Sequence, residues 1–325
     1  MEAELRPSFI IGGDINEVGG GAAWGEGQWL VVEADESDGT FLELDTELAV
    51  VTSVAPDHLE HYGSMEGLEV AFEQFLARAR GRRIVSADDP IAARLGREVD
   101  AVTYGTSESA DYRMVDVRVE RSSSRYTLVV NGTRLGEVRL AVPGLYNARN
   151  ACCALVAGLT IGVPFRTAGR ALGRYGGVAR RFEFRGERNG VTYVDDYAHL
   201  PGEVEAALEA ARAGGWKRII AVFQPHRYSR TATLWQDFGD AFVDADLVII
   251  TDVYAAGEAP RPGISGQLIL QAVLEAHADR PAIFLPGRRD VIDYLKTTLR
   301  PGDLCLTLGA GDLTVLPDEL LAEPA

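Results

Sequence analysis

The chain has 325 residues, 46% of them hydrophobic, which is enough for two domains with separate cores. Its formal net charge is −16, which disfavours binding to nucleic acid or to an anionic membrane, because either would need a basic face. The acidic start has no apolar signal core and no apolar run of about 18 residues follows, so we expect a soluble cytoplasmic protein without membrane or nucleic-acid partners.

The first half alternates strand patterns with a helix pattern, which is typical of a parallel sheet. The apolar strand patterns cover residues 29–32, 48–54, 83–86 and 102–104, and the helix pattern covers 65–80.

Residues 112–142 have a different pattern, with alternating apolar residues on both sides of Asn131-Gly132. This dipeptide favours a type I′ turn, so we expect an antiparallel ribbon. A helix is predicted over 146–161, and the glycine-rich residues 169–177 are interpreted as a hinge between two domains.

The second half alternates throughout, which indicates a doubly wound α/β domain. Its predicted strands are 191–194, 218–223, 247–251, 282–285 and 304–308, and its predicted helices are 203–213, 234–242, 265–276 and 290–299.

Two polar segments follow the first two predicted strands. Residues 33–41 read Glu-Ala-Asp-Glu-Ser-Asp-Gly-Thr-Phe, and residues 55–63 read Ala-Pro-Asp-His-Leu-Glu-His-Tyr-Gly. Acids at the carboxyl end of a strand suit Mg²⁺ and phosphate, although an isolated acidic run is more often a solvated loop. His58 and His61 suggest zinc, but no third ligand is evident. The three cysteines, Cys152, Cys153 and Cys305, have no metal-binding spacing and are expected to be buried small residues.

Further short motifs follow in the same order: Pro-Gly-Leu-Tyr-Asn-Ala-Arg-Asn at 143–150, Arg-Arg-Phe-Glu at 180–183, Asp-Asp-Tyr-Ala-His at 195–199, Pro-His-Arg-Tyr-Ser-Arg-Thr at 225–231 and Gly-Ala-Gly-Asp at 309–312. Together with the two polar segments, this series resembles the Mur ligases over nearly the whole chain. The resemblance implies a partial central ATP-binding domain at 1–178, with a parallel sheet and antiparallel ribbon, and a complete Rossmann-like C-terminal domain at 179–325.

The reaction implied by the resemblance joins L-alanine to UDP-N-acetylmuramate through an acyl phosphate, with ATP as co-substrate. In this family Glu33 matches a ligand of Mg²⁺, and His58 matches the ligand of a second Mg²⁺; an anchoring role in the loop is the plainer reading of His58. Arg181 matches a residue at the ATP phosphates. Glu33, His58 and Arg181 are therefore the expected catalytic residues.

The remaining matches are binding residues. Asn147 and Asn150 would face the nucleotide, although Asn at a helix start is commonly an N-cap. Asp196 would lie near the ribose. The resemblance places five residues around the muramyl carboxylate and the alanine: Tyr197, His199, His226, Arg227 and Arg230. Two arginines three apart can also be an exposed basic loop.

The sequence departs from the family pattern in two places. It contains no Gly-Lys-Thr phosphate loop: its two lysines are Lys217, before a strand, and Lys296, within a helix pattern. Leu200 stands where a second histidine is usual, which affects the geometry expected around the amino acid. We therefore expect a truncated chain that is inactive alone. The alternatives are one half of a split ligase whose N-terminal part is encoded separately, a non-catalytic remnant, or the related ligase that recycles murein peptide.

Overall fold

The computed structural model describes residues 2–15 and 20–322, which divide into two compact units, Met1–Gly176 and Gly177–Ala325. The first unit begins with a three-stranded sheet of order β2-β1-β3, formed by β1 (Ser8–Ile15), β2 (Gly20–Ala23) and β3 (Leu30–Val32). Strand β3 was predicted, whereas β1 and β2 were not.

A six-stranded sheet of order β4-β5-β6-β7-β8-β9 forms the rest of the first unit. Strands β4 to β7 are parallel, and β7 to β9 form the predicted antiparallel ribbon. Asn131 and Gly132 have φ values of 49° and 74°, which confirms the type I′ turn. The strands are β4 (Ala49–Val51), β5 (Arg83–Ser86), β6 (Val102–Gly105), β7 (Tyr112–Val119), β8 (Ser124–Val130) and β9 (Thr133–Leu140).

Helices cover both faces of this sheet and give it two apolar cores. They are α1 (Leu59–Tyr62), α2 (Met65–Arg78), α3 (Pro90–Glu98), α4 (Leu145–Thr160) and α5 (Phe165–Arg174). One core joins α4 to β8 through Leu155 and Leu128, and the other joins α2 to β5 through Leu76 and Val85. Burial of one such side chain stabilises the fold by roughly 1.5–3 kcal/mol.

The prediction of a hinge at 169–177 was wrong for its larger part, because α5 continues through Gly169 and Gly173 to Arg174. Phe165, Ala168 and Leu172 lie one helical turn apart and pack against the core beside α4. This apolar stripe outweighs the helix-weakening effect of the two glycines.

The second unit is one six-stranded sheet of order β10-β11-β15-β12-β13-β14, parallel except for the edge strand β10. Its strands are β10 (Glu183–Arg188), β11 (Val191–Asp196), β12 (Arg218–Phe223), β13 (Leu247–Ile250), β14 (Ala282–Phe284) and β15 (Asp303–Leu308). Its helices are α6 (Pro201–Ala213), α7 (Tyr228–Leu234), α8 (Gln267–Ala276), α9 (Arg288–Thr298) and α10 (Leu316–Ala322).

One predicted helix of this unit was misplaced. The structure has α7 at Tyr228–Leu234 followed by a 3-10 turn at Trp235–Phe238, where a helix over 234–242 was expected. Phe238 and Phe242 instead pack their rings against Phe223 of β12, with ring centroids 5.0 Å and 5.5 Å away. The apolar spacing therefore reflects core packing around a turn.

All three cysteines are free and buried, as expected. Burial raises the pKa of the Cys153 thiol to about 11 and that of Cys305 to about 12, so both are uncharged near neutral pH. Within the described part of the chain, no helix is long and apolar enough to cross a bilayer.

Candidate active-site residues

Glu33 directly follows β3 and is held by the backbone of the neighbouring strand. Its Oε2 accepts a hydrogen bond of 2.6 Å from the N–H of Gly12 in β1, and its own N–H donates to the carbonyl of Ile10. The side chain remains exposed. This places one carboxylate at the carboxyl end of a parallel strand, where α/β proteins bind ligands.

The next two aspartates shape the loop that follows Glu33. Asp35 accepts a hydrogen bond from the N–H of Ser37 at 2.8 Å, and Asp38 accepts from both the N–H and the hydroxyl of Thr40, at 3.0 Å and 2.7 Å. Hydrogen bonds from the Thr40 side chain and backbone lower the pKa of Asp38. Asp35 and Asp38 are therefore turn-forming residues.

This acidic loop is packed against α1. The hydroxyl of Tyr62 donates to the carbonyl of Glu36, and Gly39 approaches the ring of His61. Gly39 has a φ of +76°, and a Cβ at that position would lie 3.2 Å from Nε2 of His61. Glycine is suited to this position by its backbone angle and by the small space available.

His58 precedes α1 with a φ of +53°, an unusual conformation for a residue other than glycine. One carboxylate oxygen of Asp57 accepts a hydrogen bond of 2.9 Å from the N–H of His58, and the other oxygen lies 3.4 Å from Nε2 of the same histidine. The imidazole is 17% exposed. In 2–15 and 20–322, no group of three or more His, Cys, Asp or Glu side chains is placed to hold a metal ion.

Mg²⁺ usually takes one or two protein ligands and completes its shell with water and substrate phosphates, whereas structural zinc needs about four protein ligands. The exposed carboxylate of Glu33 is a suitable hard ligand. No part of the structure tests His58 as a ligand, so its metal role stays a prediction.

Asn147 and Asn150 lie on the same side of the first turns of α4, because residues three apart on a helix are neighbours. The N-cap position belongs to Gly144, which has no side-chain cap, so neither asparagine is the N-cap. Asn147 donates to the carbonyl of Pro143 at 2.6 Å, and Asn150 is exposed. Asn150 is thus accessible to a ligand at this helix start.

A buried aspartate that the sequence did not reveal fixes this helix. Asp88 accepts a 2.7 Å hydrogen bond from Nε of Arg149 in α4, and it also accepts the N–H groups of Thr106 and Ser107. Burial alone would raise its pKa, but these hydrogen bonds and the charge of Arg149 lower it. Asp88 stays ionised and links α4 to the loop after β6.

In the second unit, the two neighbouring arginines differ in their surroundings. Arg180 donates to the carbonyls of Gly309 and Gly311 at 2.8 Å and 3.2 Å, which fixes it to the turn after β15. Arg181 is half exposed, with its guanidinium 5.4 Å from the ring centre of Tyr197 and 3.8 Å from Glu203. Arg181 can reach a ligand, whereas Arg180 is structural.

Asp196 is almost fully buried at the end of β11. One of its oxygens accepts the N–H of Phe182 and the other that of Ala198, each at 2.8 Å. Burial is the largest influence and raises the pKa of Asp196 to about 6, against these hydrogen bonds and the nearby charge of Arg181. In this structure Asp196 holds the segment that carries Arg181, and its contact with a ribose stays a prediction.

Four aromatic rings line the carboxyl ends of β11, β12 and β13. Tyr197 and His199 meet edge to face at 5.4 Å, His199 lies 5.9 Å from His226, and His226 stacks on Tyr254 at 5.6 Å. Three of these rings were predicted from the sequence. Tyr254 was not, because it lies in a loop without a periodic pattern.

The two predicted substrate arginines come from the segment after β12. Arg227 has a φ of +70° and immediately precedes α7, and Arg230 lies in that helix. Nη1 of Arg230 lies 3.1 Å from both Nδ1 and the carbonyl of His226. The structure thus brings Arg230 beside the ring cluster.

Leu200 is the N-cap residue that directly precedes α6. Glu203 accepts the N–H groups of His199 and Leu200 at 2.9 Å and 3.2 Å, and this carboxylate lies 3.3 Å from Nδ1 of His199. Nδ1 also lies 3.0 Å from the carbonyl of Tyr197. The ring of His199 is therefore oriented by the Tyr197 carbonyl and by Glu203 of α6.

Comparison with known proteins identifies the family of the chain. Residues 25–158 match the Mur ligase middle domain, and residues 180–311 match the domain described as Mur ligase, glutamate ligase domain. The UDP-N-acetylmuramate–L-alanine ligase of Desulforamulus reducens is 43% identical over 98% of this chain and 70% of its own length. The corresponding ligase of Saccharopolyspora erythraea is 46% identical over 99% of this chain and 67% of its length.

A solved structure gives the same result. The UDP-N-acetylmuramate-alanine ligase of Thermotoga maritima superimposes with a TM-score of 0.81 at 26% identity, over 98% of this chain and 69% of that one. The chain belongs to the Mur ligase family, whose members are ATP-dependent ligases. Its place is among ligases of peptidoglycan synthesis, and it spans about 70% of the length of the Desulforamulus reducens relative.

Proposed function

We propose that the chain carries the chemistry that joins L-alanine to UDP-N-acetylmuramate with cleavage of ATP. The observation that carries this proposal is the group of rings and arginines beyond β11 and β12. His199 and His226 lie side by side there, with Arg230 against His226. The names of the relatives support the same substrates, both of which are cytoplasmic metabolites.

The reaction needs anion binding more than covalent chemistry by the protein. The muramyl carboxylate attacks the γ-phosphate of ATP, releases ADP and forms an acyl phosphate. The amine of alanine then attacks the acyl carbon, and inorganic phosphate leaves. Arg227 and Arg230 carry guanidinium groups, which bind carboxylate or phosphate oxygens in pairs. Their role is to hold the negatively charged groups in reacting order.

His199 and Tyr197 would bound the site of the incoming amine. The Tyr197 carbonyl and the Glu203 carboxylate both lie at Nδ1 of His199 and fix the orientation of its ring. An oriented imidazole next to His226, which is itself in contact with Arg230, suits the recognition of an amino acid.

Asn147 and Asn150 would face the nucleotide, and Arg181 would neutralise its phosphates. Glu33 and His58 would hold Mg²⁺, which, when bound, supplies positive charge to the phosphate oxygens.

The 325 residues contain no Gly-Lys-Thr sequence, so we expect weak Mg-ATP binding and no measurable ligation when this chain is assayed alone. Lys296 lies in α9 with its Nζ 3.6 Å from Asp293, and Lys217 directly precedes β12. Neither lysine follows a glycine loop. A Gly-Lys-Thr loop that completes the phosphate site would have to come from outside these 325 residues.

The experiment compares the chain alone with the chain fused to the unmatched N-terminal part of the Desulforamulus reducens relative. Each is given UDP-N-acetylmuramate and ATP with either L-alanine or the murein tripeptide, and products are identified by mass spectrometry. We expect the fusion to form the alanyl product at least tenfold faster than the tripeptide product. A tripeptide preference would identify a recycling ligase. No product from a folded fusion that binds ATP would indicate a non-catalytic remnant.

A further inference from the structure

The loop after β13 packs against the segment that carries the two substrate arginines. The N–H of Tyr254 donates to the carbonyl of Pro225 at 2.8 Å, and the N–H of Arg227 donates to the carbonyl of Tyr254 at 2.9 Å. His226 and Tyr254 form a parallel β-bridge, and their rings stack with an interplanar angle of 14°. The backbone on the N-terminal side of Arg227 is thereby fixed.

Glu258, in the same loop, binds the arginine segment on the C-terminal side of Arg227. Its carboxylate accepts the N–H of Ser229 at 2.9 Å and also the Ser229 hydroxyl. Burial opposes ionisation, but these hydrogen bonds, with help from the nearby charge of Arg261, hold the pKa of Glu258 below its ordinary value. Glu258 is thus ionised at neutral pH, and its hydrogen bonds are of the strong, charge-assisted kind.

Ser229 lies between Arg227 and Arg230, so the position of its backbone sets where both side chains start. The chain turns back to Glu258 through Ala256 and Gly257, with φ values of +48° and +87°. This turn brings the carboxylate to Ser229 across a large sequence separation. The carboxylate therefore acts on both arginines through the backbone of Ser229.

We propose that Glu258 is a positioning residue for substrate binding, which fixes Arg227 and Arg230 in the geometry that receives the muramyl carboxylate. This inference rests on the proposed function, because it takes the two arginines as the substrate clamp. Removal of Glu258 should weaken substrate binding while the chemical step continues in those molecules that bind.

The test compares Glu258→Ala and Glu258→Gln with the matched control Glu275→Ala. Glu275 is exposed in α8 and bonds only to the side chain of Gln271, at 2.7 Å, among its described contacts. In the fusion described above, Glu258→Ala should raise KM for UDP-N-acetylmuramate by at least about tenfold and change kcat by less than about threefold. Glu258→Gln should raise KM for UDP-N-acetylmuramate by less than Glu258→Ala does. The control Glu275→Ala should have the KM and kcat of the parent fusion.

A second readout does not need activity. Nuclear magnetic resonance relaxation of the arginine ¹⁵Nε groups in the chain alone, assigned with Arg227→Lys and Arg230→Lys, reports whether these side chains are ordered. Increased motion of both in Glu258→Ala supports the proposal even if the fusion fails to ligate, in which case only the proposed function is lost. The proposal is overturned if the folded Glu258→Ala fusion is active and its KM for UDP-N-acetylmuramate is unchanged. If the fusion is inactive, the proposal is overturned when the two arginines are as ordered in Glu258→Ala as in the parent chain.

Discussion

Replacement of Gly39 by alanine should destabilise the first unit more than the same change at Gly132. Both glycines lie in the left-handed region, Gly39 with φ +76° and ψ 0° and Gly132 with φ +74° in the type I′ turn, so alanine has a similar backbone cost of about 1 kcal/mol at either position. The new Cβ at Gly39 would lie 3.2 Å from Nε2 of His61, whereas nothing lies within 4 Å at Gly132. Crowding against His61 adds about 1 kcal/mol more.

Differential scanning calorimetry measures this difference. We expect Gly132→Ala to lower Tm by about 2–4 °C and Gly39→Ala by about 4–8 °C, from the usual entropy of unfolding for a unit of this size. The reduced entropy of the unfolded chain is the same for both changes and cancels in the comparison. In the background of His61→Ala, the excess effect at Gly39 should disappear. Equal shifts at the two glycines would refute the packing of the acidic loop on α1.

Three further predictions concern the site, the first two in the ligation-competent fusion. Glu33→Ala and His58→Ala should each lower kcat by roughly 10² or more at saturating Mg²⁺, measured as phosphate release; near-normal kcat in folded His58→Ala would return that residue to its structural role. Arg227→Ala should raise KM for UDP-N-acetylmuramate more than it lowers kcat, and a pure kcat effect would contradict ground-state binding. Folding raises the pKa of Asp196 from 3.8 to about 6, so the folded state binds this proton more tightly than the unfolded state does. The free energy of unfolding should therefore fall by roughly 3 kcal/mol as the pH rises from below 3.8 to above about 6. Urea titrations should show this fall, and it should vanish in Asp196→Asn; an equal pH dependence in that variant would refute it.

Sequence periodicity predicted most of the sheet because these strands are short apolar runs between helices. It located β4 to β6 and the Asn131-Gly132 turn closely. It missed β1 and α3, the first beside glycines and the second only nine residues long. Local patterns fail for such segments because their partners lie elsewhere in the chain.

The residues of the candidate site also fall into those that the sequence predicted and those that it did not. Motif matching identified Arg230 and His226, which the structure places together. It did not identify Asp88, Tyr254 or Glu258. Asp88 and Glu258 bond to residues at least 29 positions away in the sequence, and Tyr254 pairs with His226 in a β-bridge. Their contacts depend on tertiary structure, and no spacing rule in the sequence encodes them.

The most direct test of the proposed acyl phosphate is the transfer of ¹⁸O from the substrate carboxylate to the released phosphate. UDP-N-acetylmuramate labelled with ¹⁸O in its carboxylate is incubated with the fusion, ATP and L-alanine, and the released phosphate is analysed by mass spectrometry. An acyl phosphate transfers one carboxylate oxygen to phosphate when the amine displaces it. We predict one ¹⁸O in each phosphate released during ligation. Alanyl product accompanied by unlabelled phosphate would contradict the proposed chemistry.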